Sequence, residues 1–420
     1  MKTKAVRLYG KEDLRMEEFE LPAIKDDEIL ASVICDSICM SSYKAAEQGG
    51  DHKRVPNNVA ENPIIIGHEF CGKIVEVGKK WQDQFKPGQK FAIQPALNLP
   101  GKPDALGYTF GLCGGDATYV VIPGIAMEQG CLLPYEGEAF FGGALAEPLA
   151  CVCCAAHSMF HTPSKEYYAH EMGIKQGGNM VMMAAVGPMG LAAIDYLLHS
   201  DRRPGKLVIT DIDQSRLDRA ATLLTKEEAK ELGVELVYLN TRDIDAKSVL
   251  MELSGGKGYN DAVVFAPVPP VVELADSVLA DDGCLNFFSG PADPTFSSKI
   301  NLYNVHYAGT HICGSAGSNT NDMKECLGMI AEKKLTPSFL VTHIGGLNAA
   351  AQATLNLPKI PGGKKLIYTH IDMPLTAIAD FKKLGETDPM FAKLAEITER
   401  NNGLWSPEAE EYLLSCKAEQ

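Results

Sequence analysis

The chain lacks an unbroken apolar run of membrane-spanning length. Its uncharged stretch 177–193 holds three further glycines and a proline, too short and too broken to cross a bilayer. A secretory leader is not expected either, because residues 1–15 scatter charges among their apolar side chains where a signal needs an apolar core. Positive charge is scarce: 39 lysines and arginines stand against 54 aspartates and glutamates, a net charge of −15. A field of that sign repels nucleic acid and anionic lipid, and an anionic ligand must be met by a local basic cluster. There is no internal repeat or low-complexity tract, and the 12 cysteines show no paired framework. With no export route, they are expected as thiols or metal ligands in a reducing, cytoplasmic setting. One tight group, Cys151, Cys153 and Cys154, has C-x-x-C spacing. It lies in the apolar stretch 149–156 with no electropositive neighbour, so it reads as a buried helix face rather than a redox motif.

What is present is ordinary globular α/β composition: 420 residues, 45% hydrophobic, with 39 glycines and 24 prolines, enough for two or three domains. Up to about residue 155, short β-branched runs at 33–35, 64–66, 73–77 and 119–122 are bounded by glycine and proline, a β-rich pattern with few helices. Beyond 156 the texture changes to apolar strands near 180–184, 207–210, 236–239, 262–265, 284–288 and 310–313 with helical stretches between several of them. Such alternation predicts a doubly wound parallel sheet. The tail beyond Ile371 reads as helical, with Asp388-Pro389 and Ser406-Pro407 as helix starts and Gly403 as a stop. It suggests packing or oligomer surface rather than chemistry.

Ala185-Val186-Gly187-Pro188-Met189-Gly190 sits between a predicted strand and a predicted helix and matches G-x-G-x-x-G except for Ala185. Gly187 would let the backbone approach a pyrophosphate, and Gly190 would let the helix pack on the strand. Pro188 and Met189 open the helix whose N-terminus faces the anion. Asp211 ends the next strand, about 20 residues beyond the last glycine, where a carboxylate binds the adenosine ribose and repels a 2′-phosphate. NAD(H) is therefore expected ahead of NADP(H), with Arg216 placed to neutralise a phosphate if its loop turns inward. A structural β–α turn is the plain alternative.

Three separate pieces carry metal-ligand chemistry: Cys39 in Ser37-Ile38-Cys39-Met40-Ser41-Ser42, His68 and Glu69 after Gly67, and Glu147 before Pro148. Thiolate, imidazole and carboxylate make a tetrahedral zinc set with room for water or substrate. Singly, each has a plain reading as a buried cysteine, a turn, or a helix start.

In this order, ahead of the glycine motif, and with Pro63-Ile64-Ile65-Ile66-Gly67-His68-Glu69-Phe70-Cys71-Gly72 matching a zinc signature, the chain resembles the medium-chain dehydrogenase/reductase superfamily. The likeness is to its sorbitol dehydrogenase-like polyol branch and runs from Lys4 to about Thr369, closing on Gly362-Gly363-Lys364-Lys365-Leu366-Ile367. The resemblance implies an α/β protein with a GroES-like catalytic domain (1–155 and 318–420) and a Rossmann domain (156–317), the active site lying between them. It implies one catalytic zinc on Cys39, His68 and Glu69, with Glu147 either the fourth ligand or the partner of the metal's water. Ser41 falls where the family keeps a proton-relaying hydroxyl. Three departures stand out. Only Cys113 appears where a four-cysteine structural zinc lobe would fall, so no structural zinc is expected. Ser42 replaces an aspartate that orients the metal-binding histidine, and Lys44 replaces a relay histidine.

Further segments, among them Asp51-His52-Lys53, Gly78-Lys79-Lys80-Trp81 and 283–288, resemble reductases of keto-sugar phosphates. That likeness implies reduction of L-sorbose 1-phosphate to D-glucitol 6-phosphate, the phosphate gripped by Lys44, His52, Lys53 and Arg54. The alternative reading of this cluster is a solvated loop balanced by Glu47 and Asp51. The competing functions are an unphosphorylated polyol dehydrogenase of sorbitol or threonine type, and a dinucleotide-binding protein without turnover. A zinc-free quinone or enoyl reductase should lack the Cys39, His68, Glu69 and Glu147 set. A homo-oligomer, dimer or tetramer, is expected.

Overall fold

A computed structural model describes residues 1–163, 166–291 and 293–417. The chain divides into two compact units, one made of Met1–Pro148 with Asn319–Gln420, the other of Leu149–Ser318.

The first unit is organised on strand Ile29–Ile38. All of its residues but Ile34 are buried, which requires partners along both edges. Phe70–Val77 pairs with it antiparallel on one side, and Lys364–Tyr368 and Tyr119–Ile122 supply further antiparallel partners. The sheet continues through Lys90–Ile93 to Leu132–Pro134 in one direction and through Val341–Gly346 to Thr376–Ala377 in the other. A smaller sheet joins Asp13–Glu20, Lys2–Gly10 and Ile64–Ile65. The register that matters most sets Lys365 opposite Ile38, because it brings the 362–367 segment beside Cys39. Two tail helices, Pro389–Arg400 and Pro407–Lys417, belong to this unit. Asp388 caps the first by accepting from the Met390 N–H, and Gly403 follows at φ 76°.

The second unit is a parallel sheet in the order Glu235–Asn240, Lys206–Asp211, Asn179–Met183, Tyr259–Val264, Leu279–Phe287, His311–Cys313. That is the 3-2-1-4-5-6 order of a Rossmann domain, reversing direction beside the first strand, where dinucleotides bind. Its core strands are β-branched and apolar, with Val181, Val208, Ala262, Val264 and Leu285 all fully buried.

Helix Phe140–Ser158 is long and apolar enough to cross a membrane by length and composition, yet 72% of its apolar window is buried in the protein. It carries Glu147, followed by an internal proline, Pro148. All twelve cysteines are thiols.

Candidate zinc and dinucleotide sites

Strand Ile29–Ile38 delivers Cys39, which stands at the N-cap of helix Met40–Gln48. The chain after Ile64–Ile65 turns at Gly67 with φ 97°, and a Cβ there would fall 2.7 Å from both Asp116 N and Asp36 Oδ2. Glycine is needed at this turn, which presents His68 and Glu69 ahead of Phe70–Val77. The Ser37 N–H donates to the Glu69 carbonyl at 3.0 Å and ties the two ligand-bearing segments together. One ligand atom from each of Cys39, His68 and Glu69 lies within 4.8 Å of the others. A thiolate, an imidazole and a carboxylate converging in this way fit a zinc ion.

The surroundings orient this set. Ser42 Oγ lies 3.0 Å from His68 Nδ1, a contact that orients the ring and leaves Nε2 for a metal. Tyr108, buried, places its hydroxyl 2.9 Å from Nδ1 and 3.2 Å from Nε2 of the same ring. Lys364 Nζ contacts both Glu69 oxygens, at 2.5 and 2.6 Å. Burial works against the Lys364 charge, but Cys39 and Glu69 more than offset it and hold its pKa above the ordinary lysine value. Burial likewise pushes the Cys39 thiol up while the Lys364 ammonium pulls it back. Burial lowers His68, opposed by the carboxylates of Glu147 and Glu69. Glu147 is not one of the three converging ligands. Its charge nevertheless acts on His68, and burial together with Glu69 pushes its own carboxyl up to about 7. Ser41 is exposed, its Oγ 3.7 Å from Cys39 Sγ.

The basic cluster divides. Arg54 lays its guanidinium 5.4 Å from the Tyr108 ring centroid, and His52 stacks on the same ring, with centroids 5.8 Å apart and planes inclined by 17°. Arg54 Nε is buried without a hydrogen-bond partner among the described residues. His52 is pulled down first by burial, then by Arg54, Lys53 and Lys44, so all four residues share one electrostatic neighbourhood. Lys44 is half-buried and Lys53 exposed. The acids expected to balance them are engaged elsewhere: Glu47 accepts from Tyr43 and Asp51 pairs with Lys11 at 2.6 Å.

In the second unit Gly187 caps helix Pro188–His199, with Pro188 in its first turn and Met189 after it. A Cβ at Gly187 would meet nothing within 4 Å, leaving open space before the helix N-terminus, whereas one at Gly190 would fall 2.1 Å from the Ala185 carbonyl oxygen. The positive φ of this turn falls on Ala184, at 57°, rather than on Ala185, which therefore carries none of the strain a missing glycine would bring. Asp211 ends its strand, and its Oδ1 accepts from the N–H groups of Ile212 and Asp213. Arg216 is exposed and sits 3.8 Å from Asp213. A second arginine, Arg242, donates to the Ile212 carbonyl in the same loop.

A zinc-binding dehydrogenase family model matches residues 188–332, and an alcohol dehydrogenase GroES-like domain model matches residues 25–129. The chain is 49% identical to L-sorbose 1-phosphate reductase of Klebsiella pneumoniae over 98% of its own length and 97% of that protein's. It belongs to the zinc-dependent medium-chain alcohol and polyol dehydrogenases. Mannitol-1-phosphate 5-dehydrogenase of Aliivibrio fischeri is 48% identical to this dehydrogenase over 98% of the chain and 97% of the relative. The crystal structure of 2R,3R-butanediol dehydrogenase from Bacillus subtilis shares the fold, with a TM-score of 0.68 at 23% identity over 87% of this chain and 99% of that one. As a member of this family the dehydrogenase uses zinc and a nicotinamide cofactor. Sequence reasoning missed Lys364, Tyr108 and Arg242. Lys364 was visible only as part of the closing segment, and Tyr108 only as one aromatic among the glycines of 107–115.

Proposed function

We propose that this dehydrogenase reduces L-sorbose 1-phosphate to D-glucitol 6-phosphate, with NAD(H) preferred over NADP(H). The observation that carries the phosphate is the Arg54 guanidinium lying over the Tyr108 ring while the Tyr108 hydroxyl touches His68. One tyrosine side chain thus separates a cation from the zinc-ligand set, a spacing suited to a sugar phosphate, in a protein whose net charge is −15. The likeness to two sugar-phosphate enzymes points the same way.

When bound, the zinc polarises a carbonyl and the nicotinamide supplies a hydride. Cys39, His68 and Glu69 would hold the metal; Ser42 fixes the imidazole, and Lys364 pairs with the Glu69 carboxylate in competition with the metal. Glu147 remains beside them as a carboxyl able to hold a proton. Ser41 passes the proton to the substrate oxygen. Arg54, His52 and Lys44 grip the phosphate, since a charge-assisted hydrogen bond is about twice as strong as a neutral one. Lys53, being exposed, adds only to the local field. Asp211 selects the cofactor, because Arg216 is turned toward Asp213.

The decisive assay compares kcat/KM for L-sorbose 1-phosphate and L-sorbose in the parent, Arg54→Ala and Lys44→Ala. The expected result is a parent preference for the phosphate that the variants lose. Equal values in the parent would remove the phosphate and leave a plain polyol dehydrogenase, and faster turnover of mannitol 1-phosphate would move the substrate to that hexitol phosphate. A homo-oligomer accords with the exposed Leu302, Tyr303 and Tyr307 of helix Leu302–Tyr307, and light scattering decides it.

A further inference from the structure

The C-terminal tail reaches the zinc-ligand region through one buried side chain. Glu410, in helix Pro407–Lys417, is 3% exposed. Its Oε1 accepts from the Phe140 N–H at 2.6 Å and its Oε2 from the Phe141 N–H at 2.9 Å, capping the helix that carries Glu147. The same Oε2 accepts from the Tyr368 hydroxyl at 2.9 Å, and that hydroxyl in turn accepts from Trp405 Nε1 at 2.8 Å. Tyr368 ends strand Lys364–Tyr368, whose first residue holds Glu69. Glu410 therefore grips the starting end of one element and the finishing end of another. Their other functional positions lie seven residues along the helix, about 10 Å, and four residues along the strand, about 13 Å.

We propose that Glu410 is a positioning residue for the zinc site, setting Glu147 through the helix and Lys364 through the strand. Three donors converge on its two oxygens, an arrangement that suits the ionised carboxylate. Burial raises the carboxyl, those donors together with Lys90 act against it, and the balance leaves the group at about 7. Trp405, fully buried against Tyr368 and Phe381, anchors the tail so that the contact is held rather than transient. The tail then contributes to catalysis and not only to packing. This inference rests on the zinc-site reading above.

The test uses full-length Glu410→Gln and Tyr368→Phe, the second removing one bond to Glu410 without opening a cavity. Both are measured as the zinc enzyme and as the cobalt-substituted enzyme. Expected are a kcat lowered about tenfold and a shifted visible cobalt spectrum, with the dinucleotide KM within about twofold of the parent. The unchanged KM separates a displaced zinc site from general loosening. A kcat and cobalt spectrum equal to the parent's in both variants would overturn the proposal. Failure of the underlying site reading looks different: Cys39→Ser would then keep its metal.

Discussion

Replacing Lys364 by methionine tests the electrostatics of the zinc site most sharply. Lys364 Nζ lies 2.6 Å from Glu69 Oε2, and Glu69 is 1% exposed. At that distance and an effective dielectric of about 20, the attraction is about 6 kcal/mol. Part of this is returned when the lysine no longer has to be desolvated, and breaking a buried pair by removing one partner costs about 3–5 kcal/mol net. Metal-free Lys364→Met should therefore unfold earlier, by about 2 °C or more per kcal/mol for a unit of this size. Zinc changes the sign of the problem. Its charge faces the same carboxylate, so the loaded variant should lose only about 1 kcal/mol, the upper range of a screened pair. Closing the thermodynamic cycle, the variant should bind zinc more tightly than the parent by about 3 kcal/mol, on the order of a hundredfold. Chelator competition measures the affinity, and thermal unfolding of the metal-free protein measures the other leg. Weaker zinc binding in the variant would refute the reasoning and make Lys364 a group that aims Glu69 at the metal instead of one that competes with it.

Ser42→Ala should weaken zinc binding about 10–100-fold, with Ser42→Asp restoring it, because the 3.0 Å contact to His68 Nδ1 is what holds the ring; metal titration of the three proteins checks this. Gly190→Ala should lose dinucleotide binding while keeping its zinc, since the added carbon would fall 2.1 Å from the Ala185 oxygen; fluorescence titration with NADH against zinc content separates the two. Asp36 and Asp116 are both buried, and burial pushes both carboxyls upward, Asp36 further by the charges of Asp116 and Glu69. A carboxyl raised on folding gives stability that is complete below the unfolded value near 4 and is lost as pH rises through the folded value. Asp116→Asn should thus melt above the parent by a margin that is larger at about pH 8.5 than at about pH 5.5, and equal margins would count against that burial effect. Asp211→Ala should narrow the ratio of NADH to NADPH in kcat/KM, and no change would shift the discrimination to Arg242.

What could be read from the chain alone depended on how far apart the cooperating residues lie. Gly67-His68-Glu69 and the 185–190 turn carry their geometry locally, one through a φ that demands glycine and the other through a strand-to-helix junction, so a short window shows them. The doubly wound parallel sheet is likewise legible, because each β–α–β step repeats the same alternation, while its strand order comes from the structure. At the departure from the glycine pattern, the left-handed residue is Ala184 and not Ala185, a distinction that the motif alone does not carry. Lys364, Tyr108 and Glu410 had no such signature. Lys364 acquires its role only when Lys365 pairs with Ile38 across more than 300 positions, and nothing near it in sequence announces an acid partner. Tyr108 reads as one aromatic in a glycine-rich loop until the fold brings its hydroxyl to His68. Glu410 lies in a helix whose other acids, Glu408 and Glu411, face solvent, and composition cannot distinguish the buried one. Ligands that bind a metal directly must come from a few residue types at constrained spacings, whereas the groups that aim them can be drawn from any segment that folds back. The second kind is therefore where a reading of sequence stops and the long-range register of the sheet has to take over.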